Sequence, residues 1–138
     1  MLNAPDEVVR EILALEEAQR ALAVREKAQD DFLVFVRHVW DGFIQGSHHK
    51  QIAKRFETLA ETTASRLIVN MPPRHTKSEF ASYLLPAWLI GKNPELKIIQ
   101  TTHTAELAVR FGRKVRNLME LKEYREIFPD VDLRADSK

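Results

Sequence analysis

The sequence predicts an α/β fold, with a helical N-terminal segment over residues 1–60 and a strand–helix–strand core over residues 61–138. Three observations lead there. Residues 5–29 are dominated by Ala, Leu, Glu, Gln and Arg, with Val8, Ile12, Leu15, Ala18 and Leu22 at spacings of three and four, which makes one apolar helical stripe. Apolar runs over 66–71 and 97–102 have the length and bounding residues of buried strands. The stretch between them, from Phe80 to Ile90, is apolar nearly all round, as a helix buried between layers is. A helical crossover makes the two strands parallel and the connection right-handed.

The elements follow in order. Pro5, Asp6 and Glu7 suit the first turn of the opening helix, whose stripe is expected to pack on its own domain, contact with a partner helix being the other reading. Asp30 and Asp31 open a second helix through Phe32, Leu33, Phe35, Val36, Val39 and Trp40, which Gly42 and Gly46 loosen into a loop. His48, His49 and Gln51 lead into a third helix, with Ile52, Phe56 and Leu59 on one face. The His pair invites a metal reading, but adjacent histidines point to different sides of a helix and no suitably spaced third ligand accompanies them. Pro86 should kink the helix after residue 78, which ends at Gly91. Thr104 caps the last long helix, whose buried face is Leu107, Phe111, Val115, Leu118 and Leu121. Its other faces carry Arg110, Arg113, Lys114 and Arg116, either a phosphate-tracking patch or solvated surface.

Composition sets bounds. At 138 residues the chain forms one domain with a modest core, and a net charge of +1 does not mark a nucleic-acid binder in bulk. Without cysteine there is no disulfide framework and no Cys-ligated zinc. No apolar run approaches the roughly 20 residues that span a bilayer, and the polar, acidic N-terminus is unlike a signal peptide, so the chain reads as soluble.

The chemistry is concentrated at Asn70-Met-Pro-Pro-Arg-His-Thr-Lys-Ser78. Pro72 and Pro73 end the first strand, and Lys77-Ser78 open the next helix, which is the layout of a phosphate-binding P-loop. The two glycine positions of G-x-x-x-x-G-K-[ST] hold Met71 and Thr76 instead, so Thr76 has to take any left-handed conformation at a steric cost. Amides of Arg74, His75, Thr76, Lys77 and Ser78 are the available donors. Lys77 would reach the outer phosphates and Ser78 a Mg²⁺ ion, while an ordinary strand-turn-helix with solvated Lys and Ser is the plainer reading.

The stretch Leu67 to Glu79 resembles the degenerate Walker A of tailed-bacteriophage terminase large subunits. The segments 97–110, 113–119 and 128–138 resemble that family too, so the likeness covers residues 32–138. It implies a partial P-loop NTPase of the ASCE type that binds ATP and Mg²⁺ and powers packaging of double-stranded DNA into proheads. It also implies a small terminase subunit and the portal protein as partners, a homo-oligomeric ring, and a place in the host cytoplasm and transiently at the portal. Gln51 falls where such ATPases carry an adenine-contacting segment, though a solvated helix start serves as well. Arg74 would act as a cis arginine finger on the γ-phosphoryl group, or simply as a surface cation, with Arg74 and Lys77 as the catalytic pair. His75 would contribute its backbone amide.

Walker B carboxylates are expected beyond Lys138, because Pro129 makes Asp130 and Asp132 a poor buried strand; the nuclease domain is absent too. Alone, the chain is expected to be inactive. A helicase-like P-loop ATPase and a non-catalytic helical binding module are the other readings.

Overall fold

The computed structural model describes residues 4–63 and 65–133; the stretch 134–138 of the last resembling segment and the extreme N-terminus lie outside the described residues. Seven α-helices follow one another: α1 (Ala4–Asp30), α2 (Phe32–Val39), α3 (Ser47–Glu61), α4 (Lys77–Glu79), α5 (Leu85–Lys92), α6 (Ala105–Glu120) and α7 (Lys122–Ile127), with a π-helical turn over Phe80–Leu84 joining α4 to α5. This corrects the α/β expectation. Among the described residues there is no strand, so the parallel pair over 66–71 and 97–102 and the partial P-loop NTPase fold built on it are not present. The reason is physical. A helix satisfies its backbone within its own segment, whereas a strand exists only as half of a ladder. Segment 66–71 keeps the alternation of a strand, with Leu67, Val69 and Met71 half-buried and Ile68 85% exposed, but no second segment lies beside it to pair. In segment 97–102, Ile99 is 90% exposed.

The core gathers around Phe32, whose ring meets Phe56, Phe80 and Trp88 edge-on at 5.4–5.5 Å between centroids. Edge-to-face pairs of this kind add to the burial of three large rings. The start of α2 is fixed twice over. Val34 N–H donates to Asp31 Oδ1 at 2.9 Å, and Phe32 N–H donates to Glu57 Oε1 of α3 at 2.9 Å. The buried Trp88 Nε1 donates to Ala28 O at 3.0 Å and the Tyr124 hydroxyl to Ala87 O at 2.8 Å, tying α5 to α1 and α7. Gly91 of α5 is needed where it stands, since a Cβ there would lie 2.5 Å from the Phe128 ring. The helix ends one residue later, at Lys92.

Three further expectations change. The α1 stripe does not pack on its own domain: Val8, Ile12, Leu15 and Leu22 are all more than half exposed, and only the end of the helix, at Ala28, is buried. A 27-residue helix is about 40 Å long, more than the body it touches can cover. Pro86 sits just after a π turn, at the start of α5, rather than within a regular α-helix. Its nitrogen has no hydrogen to give the Ser82 carbonyl one turn back, and that carbonyl accepts from Gln100 Nε2 at 2.9 Å instead. Last, α7 was not anticipated; Tyr124, Ile127 and Phe128, at helical spacing, bury it against α2.

Candidate phosphate-binding site

The loop 72–76 enters α4 through Thr76, whose backbone is left-handed at φ 60°, ψ 12°. Arg74 also has a positive φ, of 64°. For a β-branched residue the left-handed region costs about 1–2 kcal/mol, so something must hold it. A left-handed residue followed directly by right-handed helix turns successive amides toward one side, the geometry of an anion-binding nest. Thr76 thus takes a left-handed backbone that glycine would adopt at lower cost.

Thr76 meets His49, in the first turn of α3. Gly46 N–H donates to His49 Nδ1 at 2.8 Å, the reciprocal half of a capping box. With Nδ1 accepting from a group that can only donate, the ring carries its proton on Nε2, which lies 2.7 Å from Thr76 Oγ1. The Thr76 hydroxyl in turn donates to His75 O at 2.6 Å. The chain of donors thus has one direction, from Gly46 to the loop. His49 is 4% exposed, stacks on Phe80 at 5.0 Å and meets Phe43 edge-on at 4.9 Å. Burial, and then the nearby His48 and His75 rings, push its pKa below the usual 6.5, which keeps it neutral.

Because the Thr76 hydroxyl is engaged there, it does not cap its own helix, and the start of α4 has no side-chain cap. An N-cap bond is worth about 1 kcal/mol, so forgoing it adds to the cost of the left-handed backbone. Two partly buried hydrogen bonds through one imidazole, at about 1 kcal/mol each, are of the size that offsets this. The amides of the first helical turn are left for an outside acceptor.

Lys77, half-buried, folds back across the loop with Nζ 3.4 Å from Met71 O, a long bond that a phosphate oxygen would readily replace. Arg74, His75 and Ser78 are exposed, and the His75 ring donates from Nδ1 to Pro73 O at 2.9 Å. Gln51 stands exposed on α3, at a groove of about 700 Å³ between α3 and residues 67–71, lined also by Ile52, Leu67, Val69, Asn70 and Met71. That volume is of the size of a small-molecule site, and the lining is mixed, with His48, Lys54, Arg55 and Thr58 beside the apolar residues. The six residues singled out in the sequence therefore lie in the loop and at the groove that adjoins it.

The histidines are not on different sides of the helix as expected: the His48 and His49 rings are 3.8 Å apart, and His75 comes within 5.6 Å of His48. Among the described residues no group of three or more possible metal ligands is found, and both His49 nitrogens are hydrogen-bonded. Sequence reasoning missed His49 as the partner of Thr76. The available signal was the threonine itself, since a left-handed Thr calls for a side chain able to accept and donate at once. On α6, Lys114 lies over the Tyr83 ring at 5.0 Å and Arg116 pairs with Glu120 at 3.4 Å, while Arg110, Arg113 and Lys114 line one open surface.

No family model matches this chain, and neither the curated proteins nor the solved structures contain a match. Among the described residues, no helix is long and apolar enough to cross a membrane.

Proposed function

We propose that loop 74–78 binds the phosphates of ATP, and that the chain is the N-terminal ATP-binding portion of a phage terminase large subunit that powers packaging of double-stranded DNA. The observation that carries the reading is the left-handed Thr76 leading into an uncapped helix start, at the place where a phosphate loop has its glycine. Lys77 would meet the outer phosphates, Arg74 the γ-phosphoryl group, and Gln51 the adenine edge from the neighbouring groove. Mg²⁺ would be held by Ser78 and the phosphates themselves; it would neutralise charge on the transferring group. The described residues bring no group of acidic or His ligands to help hold that ion. The small terminase subunit, the portal and a ring of copies remain the partners of the reading.

Calorimetry with Mg-ATP tests it. Lys77→Ala should remove most of the affinity, and Arg74→Ala should weaken it less. Wild-type affinity in both variants would overturn the assignment of the loop. A second reading, a helical binding module without nucleotide, is favoured by the exposed apolar residues along α1. It predicts no Mg-ATP binding and no protection of the chain from thermal unfolding by Mg-ATP.

A further inference from the structure

We infer that His49 is a positioning residue: it keeps Thr76 left-handed and its hydroxyl turned away from α4, so that the amides at the helix start stay open to an anion. The anion is phosphate in the reading above, on which this part of the inference rests. The alternative state available to the loop is a concrete one. If released, Thr76 would move to extended backbone and accept from the N–H of Ser78 or Glu79, as an N-cap threonine ordinarily does. The same chain contains that ordinary behaviour. Thr104, at the start of α6, is extended at φ −136°, ψ 146°, and its hydroxyl accepts from Leu107 N–H at 3.3 Å.

The two threonines differ in what holds them. Thr104 faces no imidazole, and its side chain closes its own helix. Thr76 receives a hydrogen bond of 2.7 Å from a ring fixed on its other side by Gly46 N–H and clamped between Phe43 and Phe80. His49 lies 27 residues before Thr76, so the open state of the loop depends on the seating of α3, not on the loop sequence alone. The latch couples the rim of the Gln51 groove to the phosphate amides, because His49 and Gln51 both belong to α3.

Amide hydrogen exchange on the full chain, with binding of inorganic phosphate and Mg-ATP by calorimetry, tests this. His49→Phe keeps the ring between Phe43 and Phe80 while removing both nitrogens. It should slow exchange at Ser78 or Glu79 by about tenfold, as a cap forms, and weaken phosphate binding by a similar factor. Thr76→Gly in that background should cancel both effects, since glycine needs no holding and has no hydroxyl with which to cap. His49→Gln, which can still donate to Thr76 Oγ1, should stay near wild type. If His49→Phe instead speeds exchange throughout the loop and Thr76→Gly fails to cancel it, His49 is packing alone and the inference falls. If the wild type binds neither phosphate nor Mg-ATP, the proposed function is lost, while the exchange experiment, which needs no ligand, still decides whether His49 holds Thr76. Should His49→Phe not fold, the wild-type ring reports: a slowly exchanging Nε2 proton is expected, and an Nδ1-protonated tautomer overturns the inference.

Discussion

The aromatic body around Phe32 and the two irregular segments, 66–71 and 97–102, all contain apolar residues, yet these end in opposite conditions. In the body, helices have met their own backbone needs, and the polar tips of Trp88 and Tyr124 find carbonyls at 3.0 and 2.8 Å. In the irregular segments the backbone has no partner segment, and Ile68 and Ile99 face outward. The contrast shows where this fold is self-sufficient: helices close their hydrogen bonds locally, and everything that needs a second strand stays open. The candidate site sits at the seam, with its loop in the open region and its latch, His49, in the closed one.

Four changes would break or sharpen that contrast. The largest effect belongs to the body. Phe32→Ala removes the ring on which three others converge and should cost about 3–5 kcal/mol in urea denaturation; a loss below about 1 kcal/mol would mean the body is not the source of stability. Next, Tyr124→Phe leaves Ala87 O without its side-chain donor and should cost about 1–2 kcal/mol. Burial pushes that phenol well above its ordinary range, so alkaline titration up to the usual tyrosine region should leave it neutral.

Acidification probes the seam. The folded His49 pKa lies below the unfolded 6.5, so the stability it contributes is present above pH 6.5 and is lost as pH falls through the folded value. Glu57 works the other way: burial raises its pKa above 4.5, and its protonation favours the fold in the more acid range. Thermal unfolding followed from pH 7 to 5 should therefore show a decline that His49→Gln abolishes. If that variant kept the decline, another group would be responsible. The smallest effect is expected in the open region, where Ile99→Thr should change stability by no more than about 0.5 kcal/mol. Light scattering should show less association at high concentration, because an exposed apolar edge has been made polar.

The helices were legible because their signals are local. Asp31 and Thr104 cap where their residue types indicate, and Phe32, Phe35, Val36 and Val39 fall on one face by spacing alone. The strands were misread because spacing reports which side a residue faces, and in 66–71 that alternation is real; whether a ladder forms depends on another segment. The α1 stripe failed for a related reason: periodicity identifies an apolar face without saying that anything lies against it. In the site, the cost at Thr76 could be read from the missing glycine, whereas its remedy could not. His49 is 27 residues away, and only the seating of α3 against the loop brings its ring to the hydroxyl.

The π turn at Phe80–Leu84 has a consequence for timing along the helix that carries the loop. Phe80, Leu84 and Trp88 are all buried, at intervals of four. In an unbroken α-helix, positions eight residues apart drift by about 80° around the axis, so Phe80 and Trp88 would face different directions. A wider turn advances each residue by less and brings the two rings back into phase, both against Phe32. Thr76 is one turn before Phe80, so the same widening sets the angular position of the amides at the start of α4 relative to the core. Converting this turn to ordinary α-helix at unchanged length would rotate the loop by about 80° relative to the core, and would carry Thr76 away from His49.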